Sequence, residues 1–480
     1  MKIIFAHFAR CVFSLAFMAG GTACSVLATS HTRPAEPATP DAWQSVAPSD
    51  TATTARSFVA PWWKSLQDPQ LDLLVNQALE TNVDTIRKAL SLRTALTQVR
   101  LTSLDQQPRA SLAFNNSTNR ALQSGDTSVV VNGVSVPISS SARTSHSYGV
   151  SATLSYELDL WSKLAAASKG EIANAEIRRE DWRTARWLTS TKVAEAYWTI
   201  AAIDAKLPIL ENLSQATDEA LRIAQVRLNE GKLRADEVDV VITKQFDARK
   251  RVADAQADRQ LKLNALAVLL DQEPLALLGG PARLPEGEPL LPPLGTPAQT
   301  LERRPDVRQA RLAVDAALAR LQVAEASRYP SLNMNLNVAT NGATWHDWFK
   351  QPLATLGLSL AVPIVDWRRL DAQRDMAHDA LDDAALGLRA SVRQALVDVE
   401  NSLIERERWR QGWRAAQKQL NEKERAYGVT SLRHDVGVFG RLDVLQGREG
   451  LLLAQIDLID LRLKAWINLL DLYKALGGAV

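Results

Sequence analysis

The sequence predicts a mainly α-helical fold with a smaller β-barrel part, built as an internal tandem repeat. Two helical runs, 164–231 and 370–437, have the same length. Each is followed by a second helical run, 231–271 and 437–477, and these two runs are also equal in length. Equal spacing in two halves of a chain is the signature of a repeat. Segments in which apolar and polar residues alternate precede each long run and predict β-strands.

The N-terminal segment, residues 1–23, has the features of an export signal. A basic start is followed by an apolar run too short to span a bilayer, and then by small residues. Cys24 is the only cysteine that the processed chain would keep, and its surroundings resemble a bacterial lipobox, although Gly21 stands where that pattern has leucine. We therefore expect a covalent lipid on Cys24. The alternative is an ordinary signal that is cut near Ala28.

The rest of the chain divides into a tether, two repeats and a linker. Residues 24–58 are rich in Pro, Ala, Ser and Thr and predict an extended tether. The first repeat spans 59–271 and opens with a helical region that is interrupted near Asn82. Seven prolines in 272–300 predict a semi-rigid linker. The second repeat spans 301–480.

Each repeat carries one predicted strand hairpin, about 109–160 and about 331–365. A half-buried sheet of a soluble domain would show the same alternation, but no separate sequence is available to cover it. Strands of nine to eleven residues with apolar and polar faces favour a membrane barrel, with Trp161 and Trp367 at the membrane interface. The first hairpin is longer than the second, and its additional residues near 123–147 predict a surface loop.

Both parts of the predicted fold require several copies of the chain. Four strands cannot close a barrel, and strand edges exposed to lipid leave backbone amides without partners. Three copies would supply twelve strands. In the helical run that follows Gly437, apolar residues form two neighbouring seams at heptad spacing. Two seams predict neighbours on both sides, as in a wall of helices closed into a tube.

Four short stretches carry a resemblance to a known family: Pro61-Trp-Trp-Lys64, Tyr156-Glu-Leu-Asp-Leu-Trp161, Glu302-Arg-Arg-Pro-Asp-Val307 and Tyr473-Lys-Ala-Leu-Gly-Gly478. In order and spacing they resemble the TolC-like outer membrane efflux proteins, in particular the lipoprotein branch that includes OprM and NodT. The resemblance implies a homotrimer, with a twelve-strand outer membrane β-barrel continuous with a periplasmic α-helical barrel. It also implies a chain anchored by lipid in the outer membrane and extending into the periplasm.

The function implied by this resemblance is a passive exit duct for small molecules, either drugs or other toxic compounds. Its partners would be a periplasmic adaptor and an inner membrane pump of the RND type. Two alternatives stay open. One is a duct or scaffold of a type I protein secretion system, and the other is the channel of a metal efflux system.

The candidate site residues lie near the turns of the two helical hairpins. We expect the tips to dock the adaptor through six residues: Gly231, Lys232, Leu233, Val436, Gly437 and Val438. Asp443 stands where TolC-like proteins carry a gate aspartate, and Gln446 stands where TolC itself has a second one. Glu237 is the counterpart of Asp443 in the first repeat. The alternative role of Asp443 is to complement the positive end of a helix.

Other classes of function find little support in the sequence. No His-Glu-x-x-His, Gly-x-Ser-x-Gly or phosphate-loop pattern occurs, so we expect no enzyme and no catalytic residues. Lys and Arg (56) nearly balance Asp and Glu (54) and form no basic run, so nucleic acid is not expected as a partner. Only two methionines follow the signal, so no copper(I) relay, metal site or cofactor beyond the lipid is expected.

Overall fold

A computed structural model describes residues 33–45, 62–120, 126–131, 133–139, 144–273, 282–289, 291–292, 294–347 and 352–478. The predicted signal peptide and Cys24 lie outside these residues. The chain divides into two compact units. We call residues 1–34, 95–175 and 313–385 the sheet unit, and residues 35–94, 176–312 and 386–480 the helix unit.

Eight α-helices are present in the described residues, and most have a counterpart of similar length in the other repeat. They are α1 (Pro69–Thr81), α2 (Val83–Leu104), α3 (Lys163–Asn229), α4 (Ala235–Leu269), α5 (Pro297–Arg303), α6 (Pro305–Ala326), α7 (Trp367–Asp435) and α8 (Arg441–Ala475). The long helices α3 and α7 have 67 and 69 residues, and α4 and α8 have 35 each. None of these helices contains a segment that is both long and apolar enough to cross a membrane.

Local side chains explain where the first helices begin and end. A short 3₁₀-helix, Trp62–Leu66, leads to Asp68, whose carboxylate accepts hydrogen bonds from the backbone N–H groups of Gln70 and Leu71. This is an N-cap of α1, with Pro69 at the first helical position. Asn82 separates α1 from α2 with extended backbone, as the sequence predicts.

A four-stranded antiparallel sheet forms the strand part of the sheet unit. Its strands are β1 (Arg109–Arg120), β4 (Thr144–Leu158), β5 (Ser331–Gly342) and β6 (Pro352–Ala361), paired in that order. The edge strands β1 and β6 each have one neighbour within the described residues. Each repeat contributes one hairpin, and β4 pairs with β5 across the repeats.

The insertion in the first hairpin differs from the predicted plain loop. It contains a second two-stranded sheet, β2 (Asp126–Val131) paired with β3 (Val134–Ser139). The turn between these strands includes Gly133 with φ +81°. A tight two-residue turn of this kind favours glycine because positive φ is strained for other residues. The valines on either side of this turn supply the β-propensity that the loop prediction overlooked.

The largest hydrophobic cluster of the helix unit brings the beginning of the first repeat onto the long helices. Trp62 and Trp63 pack with Trp198 of α3 and Trp466 of α8. The Trp198 and Trp466 rings lie 5.6 Å apart, and Trp62 stacks on Tyr473 at 6.2 Å. Aromatic rings of this size bury enough apolar surface to dominate the stability of a small core.

The predicted tether is partly packed on the helix unit. Residues 33–45 have no helix or strand, but Trp43 is 6% exposed within a cluster that includes Val399 and Leu472. The Trp43 indole N–H donates to the Gly295 carbonyl at 3.1 Å. Glu400 accepts from the backbone N–H groups that follow Trp43. The predicted tether therefore has no helix or strand over this stretch, but its Trp43 is packed on the helix unit.

The inter-repeat linker also ends earlier than the sequence predicts. Thr296 accepts a hydrogen bond from the backbone N–H of Gln299, and Pro297 begins α5. A threonine N-cap, a proline at the first helical position and a glutamine three residues after the cap together start a helix despite the high proline content. The described part of the linker before Thr296 has no helix or strand.

Candidate docking and gating site at the hairpin tips

The turn of the first helical hairpin is a glycine-terminated helix end. The Gly231 N–H donates to the Leu228 carbonyl at 2.9 Å, and the Lys232 N–H donates to the Arg227 carbonyl at 2.8 Å. These two bonds form a Schellman motif, in which the glycine adopts positive φ, here +68°. Gly231 and Lys232 are exposed, while Leu233 is half-buried.

The second hairpin repeats this geometry at the equivalent positions. The Gly437 N–H donates to the His434 carbonyl and the Val438 N–H to the Arg433 carbonyl, both at 2.8 Å, and Gly437 has φ +77°. Val436 and Val438 are 73% and 66% exposed. Within the described residues, the turn therefore presents two uncovered aliphatic side chains on either side of its glycine.

His434 and its neighbours hold the second turn together. The His434 Nδ1 atom lies 2.9 Å from the Phe439 carbonyl oxygen, a distance at which a protonated Nδ1 donates. The Arg433 guanidinium lies 5.4 Å from the centre of the Phe439 ring, within the range of a cation–π interaction. His434 thus has a local structural role in this turn.

Asp443 and Glu237 occupy the same position in their respective helices. The Asp443 carboxylate accepts from the Gly440 N–H at 2.9 Å, and the Glu237 carboxylate accepts from the Arg234 N–H at 2.9 Å. Each side chain thus satisfies a backbone donor that the first turn of the helix leaves free. Both residues are exposed, and so is Gln446 one turn after Asp443. The cap and a gate are compatible, because an exposed carboxylate can still face a neighbouring copy.

Three ion pairs connect the two hairpins within the described part of the chain. Arg441 of α8 binds Glu219 of α3 through two bonds of 2.8 and 3.1 Å. The hydrogen bond from Arg441 lowers the pKa of Glu219 below its ordinary value, and the same bond raises the pKa of Arg441. The other two pairs are Lys244–Glu449 at 3.0 Å and Lys206–Asp460 at 2.7 Å.

A cavity of about 330 Å³ lies between the hairpins near this end. It is lined by Ala216, Thr217, Ala220, Leu233, Glu237, Val240, Val241, Lys244, Leu442, Leu445, Gln446 and Glu449. Its lining combines aliphatic residues with charged and polar ones. The cavity brings together one predicted tip residue, Leu233, and two predicted gate residues, Glu237 and Gln446. Asp443 does not line it.

The sequence did not reveal the residues that connect the hairpins. Glu219 and Arg441 are 222 positions apart, and each looks like an ordinary charged position on a solvated helix face. The only available signal was that Arg441 opens α8 next to Gly440. An added Cβ at Gly440 would lie 2.7 Å from the Arg227 guanidinium. The end of α3 therefore approaches this turn through a flexible side chain, which can move aside, so the contact does not require glycine at position 440.

The two predicted interface tryptophans belong to the sheet unit and have different surroundings. Trp161 stacks on Tyr329 with ring centres 4.7 Å apart, and its indole N–H donates to the Pro330 carbonyl at 2.7 Å. Trp367 is 47% exposed and lies under the Arg328 guanidinium at 4.8 Å. Their placement at a membrane surface stays a prediction. In the described part of the chain, His, Cys, Asp and Glu form no group suited to a metal ion.

Comparison with known proteins gives consistent matches over nearly the whole chain. The family described as outer membrane efflux protein matches residues 74–272 and 296–478. The pyoverdine export outer membrane protein OpmQ of Pseudomonas aeruginosa is 27% identical over 464 residues, which cover 95% of each chain. The outer membrane protein OprJ of the same species is 25% identical over 461 residues, covering 95% of this chain and 93% of OprJ.

The fold is also found among solved structures. The outer-membrane channel OprN superposes with a TM-score of 0.80 at 20% identity, covering 94% of this chain and 99% of that chain. At this level of identity the likeness concerns the fold alone.

Proposed function

The chain belongs to the outer membrane efflux protein family, and we propose that three copies of it form a passive exit duct for small molecules. The predicted fold class is confirmed by the likeness to OprN. The outer membrane location and the role as a channel component of an efflux system follow from the family and its members. The proposal adds the number of copies, the contact between them, the docking end and the class of cargo.

The observation that supports assembly is that the sheet preserves the internal repeat residue by residue. Leu112 pairs with Ala152 in the first hairpin. In the first strand of each hairpin, equivalent residues of the two repeats are as many positions apart as Pro108 and Pro330. In the second strand, they are as many positions apart as Leu164 and Leu370. The equivalents of Leu112 and Ala152 are Met334 and Leu358, and these two residues pair in the second hairpin.

The same equivalence predicts how the free edges of the sheet pair between copies. Leu154 of β4 pairs with Leu336 of β5. Their equivalents are Leu360 of β6 and Phe114 of β1. We expect Leu360 of one copy to lie opposite Phe114 of the next, which places apolar side chains of both strands on one face. A register shifted by one residue would move every apolar side chain of one strand to the other face.

The junction after β6 supports the same contact. In the first repeat, Trp161 is covered by Tyr329 and bound to the Pro330 carbonyl. In the second repeat, Ile364 and Val365 are 77% and 97% exposed, next to the half-exposed Trp367. A neighbouring copy that repeats the internal packing would cover these side chains. Repetition of one heterologous contact closes into a ring when the rotation permits.

Cysteine cross-linking tests this register. Thr153 pairs with Asn337 inside the chain, and their equivalents are Ser359 and Asn115. The double variant Asn115→Cys with Ser359→Cys should form covalent dimers and trimers in the outer membrane under mild oxidation. Directly paired strand residues lie about 5 Å apart, within reach of a disulfide.

A matched pair controls for random collision. Asn119→Cys with Ser359→Cys moves one thiol four residues along the strand, about 13 Å out of register, and should give only monomer. Cross-linking of both pairs, or of the control alone, would contradict the proposed register. The duct itself is tested separately by single-channel conductance in a planar bilayer, and a protein without conductance would favour a scaffold.

The hairpin tips are the proposed docking end for a periplasmic adaptor, with an inner membrane pump of the RND type behind it. The exposed Val436 and Val438 and the aliphatic cavity beside Leu233 offer apolar contact area, while charged residues surround it. Gly437→Val should abolish export and leave assembly intact, because the branched side chain is strained at φ +77° and widens the turn. Export at the wild-type rate in this variant would show that the tip is not part of the docking surface.

The proposed cargo is a small organic molecule. OpmQ is a pyoverdine export protein, and the toluene efflux pump outer membrane protein TtgC of Pseudomonas putida is 25% identical over 476 residues. The cation efflux system protein CusC of Escherichia coli is matched at 24% identity, so metal efflux is the second candidate. Accumulation of a fluorescent dye and of copper in a deletion strain would separate the two.

A covalent lipid on Cys24 is part of the proposal. One acyl chain gives only marginal membrane binding, whereas a lipid together with an inserted barrel gives stable anchoring. Cys24→Ser should therefore still insert into the outer membrane. Mass spectrometry of the processed N-terminus should find diacylglyceryl cysteine, and an unmodified Cys24 or a start near Thr29 would exclude it.

A further inference from the structure

A cavity of about 410 Å³ lies in the helix unit, many helical turns along α3 from the hairpin turn at Gly231. Three elements form it: one face of α3, the α5–α6 junction and the end of α8. The lining residues are Glu180, Arg183, Thr184, Trp187, Leu188, Arg303, Arg304, Pro305, Asp306, Arg308, Gln309, Lys474, Gly477 and Gly478. This volume falls within the range of sites that bind small molecules.

Glu180 is the buried polar group of this cavity. It is 5% exposed, and its Oε1 atom accepts from the Arg183 guanidinium at 2.6 Å. The Arg308 guanidinium lies 3.8 Å from the same oxygen. The second oxygen, Oε2, is buried and has no hydrogen-bond partner among the described residues. A buried carboxylate oxygen without a donor is costly, so such an atom needs an explanation.

Two further polar atoms on the same helix face have no partner in the described part of the chain. They are Thr184 Oγ1 and Trp187 Nε1. Positions 180, 184 and 187 are separated by four and three residues, so their side chains lie along one face of α3. An unpaired acceptor, a hydroxyl and an indole donor thus line one wall of the cavity.

The remaining lining carries an excess of positive charge. The lining contains only two carboxylates, Glu180 and Asp306, but five cationic side chains: Arg183, Arg303, Arg304, Arg308 and Lys474. Arg304 is bound by Asp306 and by Asp398 outside the cavity, at 2.6 and 2.8 Å. Arg183 is bound to Glu180, and Arg308 donates to the Glu302 carbonyl at 2.8 Å. The cationic side chains of the lining nevertheless outnumber its carboxylates, and this excess of positive charge favours an occupant with an anionic group. Glu180 Oε2 requires a donor from the same occupant, so a simple anion does not fit.

We propose that this cavity binds a small amphoteric ligand that carries a protonated amine together with a phosphate or carboxylate. The ammonium group donates to Glu180 Oε2, and Thr184 provides a second contact. The anionic group faces the arginines and Lys474. Ethanolamine phosphate is a minimal compound with both groups. A free solute and the headgroup of phosphatidylethanolamine share this chemistry. This site does not depend on the proposed duct.

Calorimetric titration of the full-length protein in detergent tests the ligand chemistry. O-phosphoethanolamine should bind at least about tenfold more tightly than inorganic phosphate or ethanolamine, because each of these lacks one of the two groups. Equal affinity for phosphate and O-phosphoethanolamine would overturn the proposal in favour of an anion site. Absence of binding by all three probes would overturn it altogether.

Single substitutions test the assigned residues. Glu180→Gln keeps the size of the side chain but removes its charge, and it should weaken O-phosphoethanolamine binding by about tenfold or more. Thr184→Val should weaken it by a smaller factor. Glu195→Gln, at an exposed position of α3, is the matched control and should bind like the wild type. Circular dichroism verifies that the Glu180→Gln variant is folded. If the folded variant binds with wild-type affinity, Glu180 does not contact the ligand.

Lipid analysis distinguishes the two sources of the ligand. If the headgroup is the ligand, phosphatidylethanolamine should remain with the wild-type protein through detergent exchange and be lost from Glu180→Gln. If the soluble probe binds but both proteins release the lipid equally, the ligand is a free solute.

Discussion

Asp443 has one observed and one proposed role to separate at the residue scale: it caps the first turn of α8, and we propose that its charge lies at the mouth of the duct. Its carboxylate accepts from the Gly440 N–H, which asparagine can reproduce and alanine cannot. The charge is absent from both variants. Three carboxylates brought together would attract cations. Comparison of the two substitutions therefore separates the hydrogen bond from the charge.

We predict that Asp443→Asn and Asp443→Ala both raise the resting conductance of the reconstituted channel and weaken its block by divalent cations. Both variants lose the interaction of a negative charge with the helix N-terminus, worth about 0.3–1 kcal/mol. Asp443→Ala should lower stability further than Asp443→Asn, because it also loses the hydrogen bond from the Gly440 N–H. Glu237→Gln makes the equivalent change at the predicted gate residue of the first repeat. If Asp443→Asn has the conductance and the cation block of the wild type, Asp443 acts only as a helix cap.

Tyr197 is a second residue whose hydroxyl connects distant segments. It donates to the Asp68 carboxylate at 2.9 Å and accepts from the Arg283 N–H at 3.2 Å. Burial is the largest cause that raises the pKa of Tyr197, to about 12. Since the folded protein holds this proton more tightly than the unfolded chain, the stabilisation is complete below about pH 10 and is lost between about pH 10 and 12.

Tyr197→Phe should destabilise the helix unit by about 1–2 kcal/mol, because Asp68 and the Arg283 N–H both lose a buried partner. The difference in stability between wild type and variant should shrink as the pH rises from about 10 to about 12. Thermal unfolding followed by circular dichroism measures both. A difference that stays constant over this interval would contradict the assignment of the titration to Tyr197.

Ion pairs between α3 and α8 connect the two hairpins at the scale of secondary-structure elements. The Glu219–Arg441 pair is bidentate, but both side chains are about one-third to one-half exposed. Solvent screening therefore limits its contribution. Because Arg441 lowers the pKa of Glu219, the contribution is present above the ordinary carboxyl pKa and is lost as the pH falls through the lowered value.

A double-mutant cycle of Glu219→Gln and Arg441→Gln should give a coupling energy of about 0.2–1 kcal/mol at neutral pH. The coupling should be lost as the pH falls below the ordinary carboxyl pKa and through the lowered pKa of Glu219, and it should also decrease at high salt. Unfolding by denaturant at several pH values measures the coupling energy and its dependence on pH. A coupling that is unchanged well below the ordinary carboxyl pKa would show that the two helices are held by contacts other than this pair.

The repeat reappears in the buried polar contacts at the scale of the whole molecule. Asn82 and Arg304 hold equivalent positions, and both are buried. The Asn82 amide donates to the Leu269 carbonyl at 3.0 Å, while the Arg304 guanidinium donates to the equivalent Ala475 carbonyl at 2.9 Å. One architecture is thus stabilised by a neutral bond in the first repeat and by a charged network in the second.

Arg304→Ala should destabilise the protein by about 3 kcal/mol, because its buried guanidinium donates to two backbone carbonyls and to the carboxylates of Asp306 and Asp398. Asn82→Ala should cost about 1–3 kcal/mol, the penalty for an unsatisfied neutral group. Denaturant unfolding of both variants gives the comparison. Equal losses would mean that the charge on Arg304 adds nothing to the neutral bonds.

Periodicity and spacing in the sequence determined the secondary structure and the repeat. The long helices, the interruption at Asn82 and the four main strands were all predicted, because each depends on residues close together in the chain. The two turn glycines were also visible, since a left-handed helix end favours glycine wherever it occurs. Local rules of this kind act before any tertiary contact forms.

Only the tertiary structure decided which distant residues meet. The Glu219–Arg441 pair, the buried Trp43 and the cavity beside Glu180 depend on segments that are far apart in the chain. The periodicity of a sequence does not indicate such contacts. A charged residue on an exposed helix face and a charged residue that binds a second helix occur in the same local sequence pattern. The sequence by itself determined the elements and their repetition, and packing of the long helices selected which side chains became partners.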